Sequence, residues 1–438
     1  MAAGSTLLIV TALWLSNGGL QQIAGGSADA ISAAGRLAGL WASDLLLLQV
    51  LLMARIPMVE RAFGQDRLAH WHRLVGFSSF WLMVAHIVLI TFGYTGADSP
   101  NFFGELWDMV WTYPGVLLAT AGTLALVMVV VTSIRLARRK LRYESWHLLH
   151  LYAYAGVGLA LPHQLWTGTD FVGNKAATAY WWTLYAVSAG GVLVYRIGQP
   201  VWRNLRHRLV VDRVVPEGPG LTSVYLTGRN LDQLPLRAGQ FFQWRFLDGP
   251  GWTRGHPYSL SATPHGDGLR ITVKDLGDGS ARVAGLCPGT KALIEGPYGK
   301  LTGETYRGGP VLLLACGIGI TPLLSLLGEL PYAPGEATLI YRARSEAEIA
   351  FRDELEWFAT QRGVRVIYLL GHRADRPSWL PAQYAGSSDA EALGRMAPWI
   401  AYSQVYVCGP EAWTEAARTA AGAAGVAAEN LHTELFTW

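Results

Sequence analysis

Two long apolar stretches of this chain each carry a pair of histidines: His72 and His86, fourteen positions apart, and His150 and His163, thirteen apart. A helix of roughly 20 apolar residues crosses a bilayer core about 30 Å thick, so such stretches are expected to fold inside a membrane. Ligating or ionisable side chains are costly there and are kept for function. Fourteen helical residues rise roughly 21 Å, which puts one imidazole of each pair toward each face of the membrane. Four imidazoles arranged two by two at two depths are the donor set for two stacked b-type haems, each iron held by two histidines. With both axial positions filled, such iron passes electrons by outer-sphere transfer. A lone histidine here would read as a hydrogen-bonded structural residue; the fourfold arrangement reads as an electron path across a membrane.

Composition limits the remainder. Of 438 residues, 51% are hydrophobic and 15% charged, too apolar for an ordinary soluble protein and too charged for one wholly embedded in lipid. Charge is sparse up to about Arg196 and ordinary afterwards, so a boundary is expected near Pro200. A net charge of +3, with no basic run interleaved with aromatics, gives no reason to expect nucleic acid as a partner. Cys287, Cys316 and Cys408 form no C-x-x-C pair, which leaves no iron–sulfur cluster, zinc site or disulfide framework. Any metal must be held through histidine.

Six helical spans are expected at 5–20, 33–57, 68–93, 108–134, 144–166 and 176–197. The first lacks the basic leader and small-residue cleavage site of a signal peptide and is kept as a helix. Basic residues follow the second span (Arg55, Arg61, Arg67, Arg73), the fourth (Arg135, Arg138, Arg139, Lys140, Arg142) and the sixth (Arg196, Arg203, Arg206, Arg208). The intervening loops 94–107 and 167–175 carry acids and only Lys175. The positive-inside rule then puts both termini and the whole second part in the cytoplasm. Spans three and five run the same way, so His72 and His150 belong to an inner site and His86 and His163 to an outer one. At about 100° per residue a spacing of fourteen returns within roughly 40° of one face, but thirteen leaves a gap of about 140°. The fifth span is therefore expected either to be distorted, with Pro162 or the Gly156/Gly158 pair placing a kink or π-bulge, or to expose two faces. His147 rivals His150 as a ligand, and His70 suits a solvated or headgroup-facing position. Phe77, Phe80, Trp81, Tyr152 and Tyr154 suit haem edges and ordinary helix packing alike.

The second part carries other signals. Strand-like alternation at Thr222–Thr227 and Phe241–Phe246 leads to His256-Pro257-Tyr258-Ser259-Leu-Ser, then Val273-Lys-Asp-Leu276-Gly277-Asp-Gly-Ser280, then Gly296-Pro-Tyr-Gly299. In this order they resemble the flavin-binding β-barrel of the ferredoxin–NADP reductase superfamily. That resemblance implies FAD, with Tyr258 against the flavin or its ribityl chain and Ser259 bonded to flavin N5. His256 stands where many soluble members carry Arg. The backbone around Gly277–Ser280, with the Ser280 hydroxyl, would meet the pyrophosphate.

From about residue 305 a doubly wound nucleotide domain is expected. Pro310–Ala315 reads as a buried parallel strand, and Cys316-Gly317-Ile-Gly319-Ile-Thr321-Pro322 leads into a helix whose N-terminus can receive phosphate. The next strand, Ala337–Tyr341, ends in Arg342-Ala-Arg344, and arginines there favour a ribose 2′-phosphate, hence NADPH over NADH. A last strand, Gln404–Val407, gives Cys408-Gly409-Pro410. The resemblance places Cys408 beside the nicotinamide, although it also suits a small core position. It further implies a terminal aromatic covering the flavin, Phe436 by motif or Trp438.

Over residues 35–438 the chain resembles the NADPH oxidase and ferric reductase superfamily, as a minimal bacterial-type member without a calcium-binding loop. The implied fold is a six-helix all-α transmembrane haem bundle (1–200), an antiparallel β-barrel FAD domain (201–304) and an α/β doubly wound NADPH domain (305–438). The implied protein is a multi-pass enzyme of the bacterial inner membrane, embedded in lipid. It would carry electrons from NADPH through FAD and two haem b groups to dioxygen or ferric iron outside. A quinone or a periplasmic redox partner protein is the alternative acceptor; a flavin reductase merely anchored by its spans, or a haem subunit, is the alternative role.

Overall fold

The computed structural model describes residues 2–95, 101–134, 137, 143–172, 174–384 and 386–435. The chain divides into two units, Met1–Gly198 and Gln199–Trp438.

The first unit is helical. α1 (Ala2–Ser16), α2 (Ser27–Leu52), α3 (Gln65–Tyr94), α4 (Val116–Ser133), α5 (Tyr143–Trp166) and α6 (Lys175–Gly191) fall on the six apolar stretches. Among the described residues three helices, α2, the Arg67–Tyr94 part of α3, and α4, are long and apolar enough to cross a membrane. Ala3–Ser16 is apolar but shorter. Large apolar side chains such as Phe77, Trp81, Leu124, Leu148 and Trp182 are exposed on the surface of this unit, which suits lipid rather than water. The basic cluster at Arg135, Arg138, Arg139, Lys140 and Arg142 lies outside the described residues, as does the loop acid Asp98.

Two local expectations are corrected. The fourth stretch begins later than 108, because Phe102–Thr112 forms a separate helix whose start is capped by the Asn101 side chain, accepting from Gly104 N at 2.7 Å. Pro114 disfavours helical geometry at Tyr113 before it, and Gly115 takes φ of +81°, so the chain turns before α4 starts. Distortion of the fifth span takes no π form: α5 is α-helical throughout with Pro162 inside it. Proline has no N–H to donate to the Gly158 carbonyl and its ring crowds that carbonyl, so one backbone hydrogen bond is missing here with no residue inserted. The π segment lies instead at Val192–Gly198, after α6.

α2 packs along α3, and α4 along α5. Small residues let these backbones approach: a Cβ on Gly156 would meet the Gly122 carbonyl at 3.0 Å, and one on Gly35 would meet Ile90 N at 3.0 Å. α1, α2 and α6 enclose a core that includes Val10, Leu40, Leu47 and Trp181.

The second unit opens with α7 (Gln199–His207), whose Asn204 side chain exchanges hydrogen bonds with the Ile294 backbone. Two three-stranded antiparallel sheets follow. One is ordered β1 (Val210–Gly218), β2 (Leu221–Thr227), β5 (Leu269–Lys274); the other runs β4 (His256–Ser259), β3 (Phe241–Phe246), β6 (Ala292–Tyr298). They share a core that includes Phe242, Trp244, Leu260 and Ile271, and bridges Val210↔Lys291 and Leu260↔Ile271 link strands around it. The third sheet is parallel, β7 (Val311–Cys316), β8 (Ala337–Ala343), β9 (Arg365–Leu370), β10 (Gln404–Gly409) and β11 (Leu431–Leu435), in the order β11-β10-β7-β8-β9. β7 has β8 on one side and β10 on the other, so the strand order reverses between β7 and β10. In such sheets ligands bind beyond the carboxyl ends of the strands at that reversal.

Candidate functional site

Two places gather chemistry. In the first unit α3 and α5 make little backbone contact with each other among the described residues, yet their histidines meet across the gap. The His72 and His150 ring centres are 5.9 Å apart, and those of His86 and His163 are 6.1 Å apart. A metal–imidazole bond is about 2.0–2.1 Å and the ring centre lies about 1 Å behind its nitrogen, so two imidazoles on opposite sides of one ion stand about 6 Å apart. It is the His150 ring that meets His72, with Trp146 at 5.0 Å from it.

All four rings are tied back through Nδ1. His86 Nδ1 donates to the Gly35 carbonyl at 2.8 Å and His72 Nδ1 donates to the Gln49 carbonyl at 3.3 Å. Gly35 and Gln49 are fourteen residues apart on α2, the spacing of the two α3 histidines, so one antiparallel register serves both. His150 Nδ1 lies 3.3 Å from Ser133 Oγ, and His163 Nδ1 lies 3.0 Å from Thr167 Oγ1. Partners at Nδ1 orient the ring and leave Nε2 for a metal, which is how ligating histidines are generally held. Gly39 makes room for this: a Cβ there would sit 2.5 Å from His86 Nδ1. Two pairs of facing imidazoles, on helices whose backbones make little contact, fit a group such as haem that takes two histidine ligands. Gly35, Gly39, Gln49, Ser133 and Thr167 escaped the sequence reading, because a backbone carbonyl or an isolated hydroxyl leaves no residue-type signature.

The second place is the meeting of the antiparallel sheets with the parallel one. His256, Pro257, Tyr258 and Ser259 form β4, paired through Trp244↔His256 and Phe242↔Tyr258 to β3. The His256 and Tyr258 rings stack 6.1 Å apart at 19°. Burial pushes the Tyr258 phenol up to about 12, so it stays neutral. Ser259 is 4% exposed and its hydroxyl has no hydrogen-bond partner among the described residues. An unpaired buried hydroxyl costs about 1–3 kcal/mol, and a flavin ring nitrogen would restore the missing partner. The Gly277–Ser280 turn abuts this strand, since a Cβ on Gly279 would meet the His256 ring at 2.5 Å. Leu276 is exposed, and its N–H donates to Ser280 Oγ at 2.7 Å while that hydroxyl donates to the Gly277 carbonyl at 2.9 Å. Ser280 thus shapes its own turn, and its hydroxyl hydrogen is not free for phosphate.

Gly317 and Gly319 form a tight turn between β7 and α8 (Ile320–Glu329), with Thr321 and Pro322 in the first helical turn. Thr321 Oγ1 donates to the Ile318 carbonyl at 3.0 Å. Gly319 must be glycine, because a Cβ would run into the Cys408 carbonyl. Cys408 itself is wholly buried in the apolar core, and burial raises its thiol well above the usual value. It therefore offers the site its backbone and that of Gly409, not a reactive sulfur. Cys316, at the end of β7, is partly exposed and its thiol is raised to about 11 by burial. Arg342 is buried, with its guanidinium donating to the carbonyls of Ala343, Leu369 and His372, so of the two expected phosphate cations only Arg344 stands exposed. Phe436 and Trp438 lie outside the described residues; β11 ends at Leu435, opposite Gly409.

The profile of the family described as "Ferric reductase like transmembrane component" matches residues 38–161, and "Oxidoreductase NAD-binding domain" matches residues 313–419. Ferredoxin–NADP reductase B of Sorangium cellulosum is 32% identical over 218 residues, 46% of this chain and 85% of that protein. The chain belongs to the ferredoxin–NADP reductase family. Its first unit carries a ferric-reductase-like transmembrane domain, and its second is a reductase module that binds FAD and NAD(P). The ferredoxin reductase component of a 3-ketosteroid-9-alpha-monooxygenase from Mycobacterium tuberculosis is 31% identical over 47% of this chain and 56% of that protein. A flavohemoprotein of Bordetella pertussis is 30% identical over 54% of this chain and 60% of that one. The chain thus spans little more than half the length of these two relatives. Among solved structures, the FAD/NAD-binding domain of the nitric oxide dioxygenase from Vibrio cholerae overlays with a TM-score of 0.41 at 22% identity, covering 53% of this chain and 99% of that domain.

Proposed function

We propose that this reductase moves electrons from NADPH on the cytoplasmic side, through FAD and two b-type haems, to a small oxidant on the far side of the bacterial inner membrane. The observation that carries this reading is the convergence of four histidines of α3 and α5 into two pairs at 5.9 and 6.1 Å, each ring tied back at Nδ1. The reading divides the chain into a six-crossing haem bundle, a closed FAD barrel ending near residue 304 and an NADPH domain. The oxidant is dioxygen or ferric iron.

The chemistry the bound groups supply is two-electron hydride acceptance at a flavin and one-electron relay at haem iron. The chain's own residues do the rest. Tyr258 packs on the flavin face, Ser259 donates to its ring, and the turn at Gly317–Thr321 brings backbone N–H groups and a helix N-terminus to the nucleotide phosphates. Arg344 reaches the 2′-phosphate. His72 and His150 hold the inner iron, and His86 and His163 the outer one. Basic residues beside the inner ends of the helices orient the chain with the module in the cytoplasm.

An optical spectrum of purified protein with the bis-histidine signature of two b-type haems tests the reading directly; flavin without haem would reduce the chain to an anchored flavin reductase. With NADPH supplied, superoxide-dismutase-sensitive cytochrome c reduction identifies dioxygen as acceptor, and reduction of an Fe(III) chelate identifies iron. Arg344→Ala is expected to lower kcat/KM for NADPH about tenfold or more, as loss of one charge-assisted phosphate contact implies, with NADH turnover little changed. Equal loss with both nucleotides would remove Arg344 from cofactor choice.

A further inference from the structure

Thr167 lies one turn after His163, just past the end of α5. Its Oγ1 is 2.7 Å from the His163 carbonyl and 3.0 Å from His163 Nδ1. A hydroxyl has one hydrogen and two acceptor lone pairs. The carbonyl can only accept, so it takes that hydrogen, and only lone pairs remain to face Nδ1. Nδ1 must then be the donor. The neutral ring has a single N–H, so with it spent on Thr167 the lone pair stands at Nε2, the atom left to meet a metal.

Resting on the two-haem reading above, we infer that Thr167 is a positioning residue that locks His163 in its ligating tautomer and tunes the electron affinity of the outer iron. The two sites differ in this respect. Beside His150, Ser133 Oγ accepts from Trp146 Nε1 at 3.3 Å and lies 3.3 Å from His150 Nδ1, an arrangement that admits either direction of the second bond. His86, across from His163, needs no hydroxyl because the Gly35 carbonyl already forces its Nδ1 to donate. Thr167 thus completes a pair of rings that both donate at Nδ1. Donation from Nδ1 makes the imidazole a more basic ligand. A more basic ligand favours ferric over ferrous iron, so removing the acceptor raises the potential at which that iron takes its electron.

The test compares wild-type protein, Thr167→Val and Thr167→Ser by haem stoichiometry and by spectroelectrochemical titration. Valine keeps the shape and removes the oxygen; serine keeps the oxygen. The expected result is that in Thr167→Val one of the two midpoint potentials moves positive while the other stays, and that Thr167→Ser titrates as wild type. Loss of one haem in the valine variant alone, with serine retaining both, supports the same assignment. Valine and wild type titrating alike, or valine and serine changing alike, would overturn it while leaving the two-haem reading intact. A wild-type protein without haem would instead sink that reading, and this inference with it.

Discussion

His86→Ala or His163→Ala is expected to stop electron delivery to an external acceptor while NADPH still reduces the flavin at its normal rate. The two rings stand 6.1 Å apart, one of two histidine pairs that meet between α3 and α5 among the described residues. Changing even the outer partners of a metal ligand costs roughly 10–100-fold in affinity, and removing the ligand itself should cost at least that much. Haem content should fall from two per chain to one, and external acceptor reduction by roughly 100-fold or more. A soluble dye that takes electrons straight from flavin provides the internal control, because the module that feeds it is a separate unit of the chain. An unchanged rate with the external acceptor would refute the assignment of both histidines.

Gly39→Ala, a change of one methyl group on a helix with no haem ligand of its own, is expected to do nearly the same. The added Cβ would lie 2.5 Å from His86 Nδ1 and 2.9 Å from Cε1, closer than atoms of this kind approach. The ring must move, and with it goes the 2.8 Å bond to the Gly35 carbonyl. The backbone cannot give easily, because Gly35 already holds α2 close to α3. Outer-haem affinity should drop about 10–100-fold, seen as loss or broadening of one set of haem bands in a protein that still inserts and folds. Gly158→Ala is the matched control: nothing lies within 4 Å of the Cβ it would add, so its spectrum should be that of wild type. If both variants behave alike, the α2 backbone has no part in placing His86.

Much of this was legible in the residues. Histidines in apolar stretches are rare because burial penalises them, so four at helical spacings pointed to ligands before any contact was known. The strands at Leu221–Thr227, Phe241–Phe246 and Val311–Cys316 were equally visible, the first two as alternation and the third as an unbroken apolar run. Other points were hidden by chemistry that one dimension does not carry. Arg342 and Arg344 look equivalent in sequence. β8 ends at Ala343, so Arg342 is still in the sheet, buried under carbonyls, whereas Arg344 is past its end and in solvent. In sequence Cys408 suits both the redox site and a small core position; its side chain lies in the core, and its carbonyl is what approaches the turn at Gly319. The spacing of His150 and His163 calls for a distorted span or two exposed faces, with a π-bulge and a kink at Pro162 equally open on sequence alone; the helix has no π segment and keeps Pro162 inside it.

By itself the sequence determined which side chains are candidates to hold a metal, a flavin or a nucleotide, because residue type and spacing along a helix or strand set what an element presents. Tertiary structure alone decided which of them meet and in what protonation form. The partners that orient the rings, the carbonyls of Gly35 and Gln49 and the hydroxyls of Ser133 and Thr167, are backbone atoms or common side chains, and all but Ser133 also fix which nitrogen carries the proton. Their significance comes only from packing α2 against α3 and α4 against α5, where close approach of two helices turns an ordinary acceptor into the atom that orients a ligand.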